Sequence, residues 1–274
     1  MPRNVLRSAC LGCLLTAAGT AQAEDPRSFP WEKASLSIGG FVSTTNSELQ
    51  LNSESLGVGT VIDLENGLDM DSQFSTYRID GFYRFGSTRR HQIEMHYYRS
   101  DRDGSRVTDQ EYQIGDTVFP AGSGITSELD TWFFNINYAY AFFQDDRVRL
   151  SGAVGVHTTG IKLKVSSLGS GVEEEEVTAP LPVIGVRADI ALTERWRLWG
   201  STDLFYLSYD NYRGGLMDAA IGIEYLPFKH VGFGLGLNAV KYRVEGDGDG
   251  DLSDINGEVR YDFAGALLYM KLFF

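Results

Sequence analysis

Cysteine is almost missing: of 274 residues only Cys10 and Cys13 carry a thiol. Beyond them no disulfide and no thiolate for catalysis or zinc is available, so stability must come from burial and backbone pairing. Basic charge is short too, 24 Lys and Arg against 37 Asp and Glu, a formal charge of -13. Phosphate binding needs a concentrated positive footprint, so no nucleic-acid partner is expected. Only 22% of the residues are charged, and 7 prolines stand against 31 glycines and 12% aromatics. That composition suits neither a disordered chain nor a helical repeat. Past the first 23 residues no window holds about 18 consecutive apolar residues, which excludes a transmembrane helix. An all-β protein fits what remains.

At the N-terminus, Arg3 and Arg7 precede an apolar stretch from Leu11 to Ala18, and Ala21-Gln22-Ala23 places small residues where a signal peptidase reads them. This predicts a secretory signal over 1–23 and a mature chain over 24–274, with a formal charge of -15 once Arg3 and Arg7 are gone. Lipidation at Cys13 fits poorly, because Ala9-Cys10-Leu11-Gly12 makes a weak lipidation box.

Alternation dominates the rest. In 131–142 the even positions Trp132, Phe134, Ile136, Tyr138, Tyr140 and Phe142 are large and apolar, while most odd ones are small or polar. That is a strand with a different solvent on each face. Leu36, Ile38, Gly40 and Val42 alternate in the same way with Ser35, Ser37, Gly39 and Ser43. Ten such segments are read, roughly 34–44, 74–86, 90–101, 128–143, 147–160, 180–192, 195–209, 215–226, 230–244 and 258–274. A soluble sandwich could share this period, but the connections discriminate. Tight links at 86–89, 144–146, 193–194 and 227–229 alternate with long polar stretches at 45–73, 102–127, 161–179 and 245–257. The predicted fold is a single closed antiparallel transmembrane β-barrel of about ten strands, with eight or twelve as alternatives.

The C-terminus agrees with this. Ala264, Ala266, Leu268, Met270 and Leu272 alternate up to an aromatic Phe274. Phe274, Leu272 and Met270 resemble the terminal signal read by the barrel-assembly machinery of bacterial outer membranes. Outward Tyr83, Phe85, Phe142, Trp196, Tyr225 and Phe274 are expected at one membrane edge, and Tyr77, Tyr97, Trp132 and Tyr206 at the other.

Between about 40 and 165, three motifs go beyond generic pattern: Gly59-Thr60-Val61-Ile62-Asp63-Leu64-Glu65, Tyr77-Arg78-Ile79-Asp80-Gly81-Phe82-Tyr83-Arg84-Phe85, and Asp101-Arg102-Asp103-Gly104-Ser105-Arg106. This stretch resembles a family of proteobacterial outer-membrane β-barrel proteins within the small-barrel superfamily. The resemblance covers less than half the chain and implies a bacterial outer-membrane location and a barrel, without an activity.

The phase points Arg78, Arg84, Arg149, Arg187, Arg197 and Lys271 inward with Asp80, Glu94, Asp189, Asp203, Asp218 and Glu224. Equal numbers of each sign favour lumen salt bridges, because an unpaired buried charge is costly. A turn centred on Thr88 sets Asp80 across from His96 and Phe82 from Glu94, so His96 joins this polar network. Barrels of about eight strands are filled by side chains, while open channels need near sixteen. A largely plugged polar lumen with a structural or surface-binding role is therefore expected, the alternative being a narrow channel for small polar solutes.

No catalytic residues are assigned. His157-Thr158-Thr159 faintly resembles the His-x-Ser arrangement of outer-membrane lipid hydrolases, which makes hydrolysis a further alternative. The hydroxyl is a threonine, however, and the phase points His157 into the lumen beside the other network residues. Omptin proteases also have ten strands, but a matched Asp-x-Asp and Asp-x-His pair is not found. Asp247, Asp249, Asp251 and Glu258 imitate positions 1, 3, 5 and 12 of a calcium loop, although Leu252 replaces its glycine. A solvated hairpin tip is the plainer reading, with weak Ca2+ binding beside it, and no other cofactor is expected. Expected partners are outer-membrane lipids, lipopolysaccharide and the assembly machinery, with no nucleic acid. The sequence does not fix an oligomeric state.

Overall fold

In a computed structural model of the chain, the period-two segments become ten long antiparallel strands joined edge to edge into a closed barrel. They are β1 Ala34–Leu51, β2 Gln73–Phe85, β3 His91–Val107, β4 Gly124–Gln144, β5 Val148–Ser167, β6 Gly171–Ala191, β7 Trp196–Tyr209, β8 Tyr212–Tyr225, β9 Val231–Asp247 and β10 Asn256–Phe273. The structure describes residues 31–51, 60–114, 117–167, 171–209, 212–247 and 256–274. The expected export signal and the tip at 248–255 lie outside them. Pairing of β1 with β10, from Ser35 opposite Phe273 to Leu51 opposite Gly257, closes the sheet. Lys33 N and Ala34 N donate to Phe274 O at 2.6 and 3.1 Å beside that seam. The first strand thus pairs with the last and the sheet closes on itself, as a membrane-spanning sheet requires.

The outer surface carries a continuous apolar belt. Leu36, Ile38, Val42, Ile184, Val186, Leu235, Leu237, Leu268 and Met270 are each at least 40% exposed. Water would not tolerate a patch of that extent, whereas lipid is its matching solvent. Exposed Tyr83, Phe142, Trp196 and Phe274 mark the belt at the end that bears Trp31 and Phe274 (the terminal end), and Tyr77 and Tyr206 mark the far side. At the terminal end the turns are tight. Gly86 takes φ +82° in the β2–β3 turn. Asp145 Oδ1 accepts from Arg147 N and Val148 N at 2.8 and 2.7 Å, and these backbone bonds hold its carboxyl below the usual range.

At the opposite end the strands outrun the sequence reading. β1 reaches Leu51, β3 reaches Val107, β4 starts at Gly124, and β5 and β6 cover most of 148–191. Of the stretches expected as loops, 102–127 and 161–179 are thus mostly strand, while 45–73 and 245–257 begin and end in strand. The reason is an inversion of phase. On β5, Val154 and Val156 face lipid, but farther along Ile161, Leu163 and Val165 are buried inside while Lys162 and Lys164 point outward. Above the belt the outside is water and the bore is apolar, the reverse of the arrangement within it.

Two inserts cap the loop-end mouth. Ile62–Asp63 pairs with β1, and the short helix α1, Leu64–Gly67, is capped by Asp63, whose Oδ1 accepts from Asn66 N at 2.8 Å. A small hairpin of Tyr112–Ile114 and Thr117–Phe119 lies beside it in sequence order after β3. Leu64, Leu68, Met70, Tyr112, Ile114 and Phe119 bury into the bore.

Candidate functional site

The lumen is the site, and it is built in layers. At the terminal mouth the residues just before β1 turn inward. Trp31 is buried, its Nε1 donating to Asp145 O at 2.8 Å, and its carbonyl accepts from Arg89 Nη1 at 3.0 Å. Glu32 then meets Lys271 Nζ at 2.6 Å, Arg84 Nη1 at 3.5 Å and the Arg197 guanidinium. Burial pushes the Glu32 carboxyl up, but Lys271, Arg197 and Arg84 overcome this and hold it well below the usual carboxylate range. Lys271 also reaches Glu224 Oε2 at 2.8 Å, and Tyr269 OH donates to Glu224 Oε1 at 2.9 Å while accepting from Trp199 Nε1 at 2.8 Å.

The next layer joins strands that are far apart in sequence. Arg84 Nε and Arg149 Nη1 share Gln92 Oε1 at 2.6 and 2.7 Å, and both lie near Asp189 at 3.6 and 3.5 Å. Arg187 spans Glu94 at 2.9 Å and Asp203 at 3.0 Å. The β2–β3 register sets Asp80 opposite His96 and Phe82 opposite Glu94. Asp80 Oδ1 stands 2.8 Å from Arg78 Nε and 2.6 Å from His96 Nδ1, whereas Glu94 turns to Arg187 instead of joining that group. Arg78 Nη1 donates to Asn238 Oδ1 at 3.2 Å, and Asn238 Nδ2 donates to Asp218 Oδ1 at 2.7 Å. These groups and the rings of Phe82, Trp199 and Tyr269 enclose a cavity of about 140 Å3.

Above it the bore turns aromatic, contrary to a uniformly polar lumen. Phe41, Phe74, Tyr98, Phe133, Tyr261 and Phe263 are all buried. Tyr98 stacks on Phe133 at 4.4 Å between centroids, and Phe133 meets Phe263 and Tyr261 at 5.7 and 5.9 Å. Leu181, Val183, Leu216 and Val240 complete the layer from the other wall. His157 and Thr159 are buried here on the inner face, His157 edge-on to Phe133 at 6.0 Å, so neither side chain faces lipid.

Among the other residues singled out from the sequence, Met270 and Phe274 are exposed on the outer face, with Leu272 between them on the same side. Glu258 is held by Arg243 Nε at 2.8 Å and Arg260 Nε at 2.5 Å. Asp249 and Asp251, and the side chain of Asp247, lie outside the described part of the structure. Sequence reasoning missed Glu32, Gln92 and Asn238, and a second buried pair, Arg102 with Glu65 at 2.6 Å, which also engages Ser47 Oγ at 2.9 Å. Arg102 was readable as inward by extending the β3 period past Ser100. Glu32 precedes any periodic segment and carried no such signal.

A closed ten-strand sheet with a lipid-facing belt, two aromatic girdles and a side-chain-filled bore defines a transmembrane β-barrel of the outer-membrane type. One solved structure supports the fold. The chain is similar to the outer membrane protease OmpT from Escherichia coli, with 12% identity over 88% of this chain and 96% of that one and a TM-score of 0.54. It also matches the translocator domain of the autotransporter NalP from Neisseria meningitidis (7% identity, 86% and 88% covered, TM-score 0.45). A third match is Ail, the attachment invasion locus protein of Yersinia pestis (12% identity, 86% and 97% covered, TM-score 0.38). At such identities likeness extends to fold alone. No family model matches the chain, and no curated protein does either.

Proposed function

We propose that this protein is a bacterial outer-membrane barrel with a closed lumen, its termini on the periplasmic side, serving a structural or surface-binding role. Short turns at the terminal end and long extensions at the other support the orientation. The observation that carries the reading is occlusion at two levels: the Glu32 cluster at the terminal mouth and the ring layer around Phe133 higher up. Between them lies a cavity of about 140 Å3, with room for a few waters. Above the belt, outward Lys241, Arg243 and Arg260 stand among acids, a surface suited to the phosphates of lipopolysaccharide.

The hydrolase alternative is not favoured, since His157 and Thr159 face the bore. Calcium at the 247–258 loop is not favoured either, because Glu258 already binds two arginines. The protease named for the similar structure is not carried over, as the chain contains no Asp-x-His.

Single-channel recording in planar bilayers tests the closed lumen. The folded wild type is expected to be silent, and a Glu32→Ala, Phe41→Ala, Phe133→Ala variant is expected to conduct in discrete steps. Reproducible wild-type steps that change in Asp80→Ala would overturn the reading in favour of a narrow channel.

A further inference from the structure

At two of the ten strand junctions the ladder stops while both strands continue toward the loop end. The β2–β3 ladder ends at Arg78 opposite Tyr98, and the β6–β7 ladder ends at Leu204 opposite Ile184. Their surroundings differ. The first split is covered by the segment after α1: Arg102 Nη1 donates to Asp71 O at 3.3 Å, and Gly104 lies directly against the Leu68 carbonyl. Among the described residues the second is touched only by the small hairpin, whose Thr117 Oγ1 donates to Glu173 Oε2 at 2.6 Å, eleven residues along β6 from Ile184 at the foot of the split.

Sequence chemistry explains why β6 lets go of β7. Pro180 and Pro182 sit two apart on β6, so both missing N–H groups fall on one edge. The ladder to β5 continues through both, with Thr158 opposite Pro180 and Val156 opposite Pro182. The lost donors therefore face β7, where pairing stops. Beyond Leu204 no rung joins the two strands among the described residues.

The depth of this seam matters. A tilted membrane strand spans about 9–11 residues, which on β6 corresponds to 180–190 and on β7 to 196–206. Outward Ile184, Leu204 and Tyr206 at its foot are 66%, 46% and 81% exposed, so the opening begins inside the apolar belt. Unpaired backbone in hydrocarbon is costly unless it borders something that replaces lipid contact. The inner side of the seam is apolar as well: Leu181 and Val183 are buried on β6, with Leu216 beyond them and Phe205 packed against this layer. The ion pair of Arg187 with Asp203 closes it below.

The geometry points to a lateral portal: an acyl chain of a lipid in the leaflet at the loop end enters between β6 and β7 and lies against Leu181, Val183, Phe205 and Leu216. A chain of methylenes matches both the belt outside and the wall inside, and a polar solute matches neither. The site is independent of the axial route through the lumen and of which side of the membrane the loop end faces.

Photocrosslinking reads this directly. The protein is reconstituted in phosphatidylcholine vesicles that carry a diazirine at mid-acyl position, irradiated, and mapped by mass spectrometry. Adducts on Leu181, Val183 or Phe205 are expected. The described barrel has no cysteine, so Val183→Cys with Phe205→Cys, which continue the register across the seam, form a staple. Oxidation is expected to lower the inner adducts several-fold and reduction to restore them, with folding verified by electrophoretic mobility. A second variant, Pro180→Thr with Pro182→Thr, returns both donors, and is expected to slow amide exchange at Tyr206 and Ser208, whose backbone faces β6, and reduce the same adducts. Adducts confined to outward Ile184, Leu204 and Tyr206, or wild-type amides at Tyr206 and Ser208 as protected as those at Leu198, Gly200 and Thr202, would overturn the proposal.

Discussion

Glu32 illustrates how one side chain outside the regular strands can hold a barrel mouth together. Its carboxylate neutralises Lys271 and Arg197 at once, and both are mostly buried. Glu32→Ala leaves those cations facing each other, and is expected to lower unfolding stability by about 3 kcal/mol, measured from the denaturant midpoint. Glu32→Gln should do less damage, because the amide still accepts hydrogen bonds. Since the folded carboxyl titrates below its ordinary value, the stabilisation is complete at neutral pH and is lost as pH falls through that lowered value. The wild-type advantage over Glu32→Gln should thus be constant above about pH 5 and shrink in stronger acid. Among these residues, sequence could place Asp80 across from His96 because a tight turn fixes register. It could not pair Glu94 with Arg187, or Arg84 with Asp189, because contacts across the bore depend on the stagger of all ten strands.

The strand elements were legible where lipid and water lie on opposite faces. They were misread where that contrast reverses, as at Ile161-Lys162-Leu163-Lys164-Val165, whose alternation is strong but of opposite sense. Inward Phe41, Phe133 and Phe263 escaped for a related reason: each sits on the face that carries polar groups lower down the same strand. The α1 insert shows what such a segment does, because it lies on the short β2–β3 junction with Gly104 beneath it. A Cβ at Gly104 would collide with the Leu68 carbonyl backbone. Gly104→Val is therefore expected to lift residues 62–71 off β3, seen as faster amide exchange there while β5–β6 stays protected. Free β6 edge beyond the portal is guarded differently: Glu174 and Glu176 discourage another strand from adding to it, as do the two prolines.

For the whole molecule, membrane barrel and water-type barrel are stacked along one axis. The lower part has lipid outside and paired charges inside, while the upper part has charges outside and an apolar core. Both share continuous strands, so the ladder transmits rigidity from one solvent to the other. Folded protein in mild detergent is expected to migrate faster on electrophoresis before boiling than after it, and identical mobility in both states would contradict a closed, ladder-held barrel. A contact already described bears on how such a molecule is made. Glu32 stands before the first strand and Lys271 near the end of the tenth, and Phe274 O accepts from Lys33 N beside them. The mouth thus cannot be sealed until β10 has arrived next to β1. A chain lacking β10 keeps a bare β1 edge, and its Glu32 keeps Arg84 and Arg197 but loses the lysine.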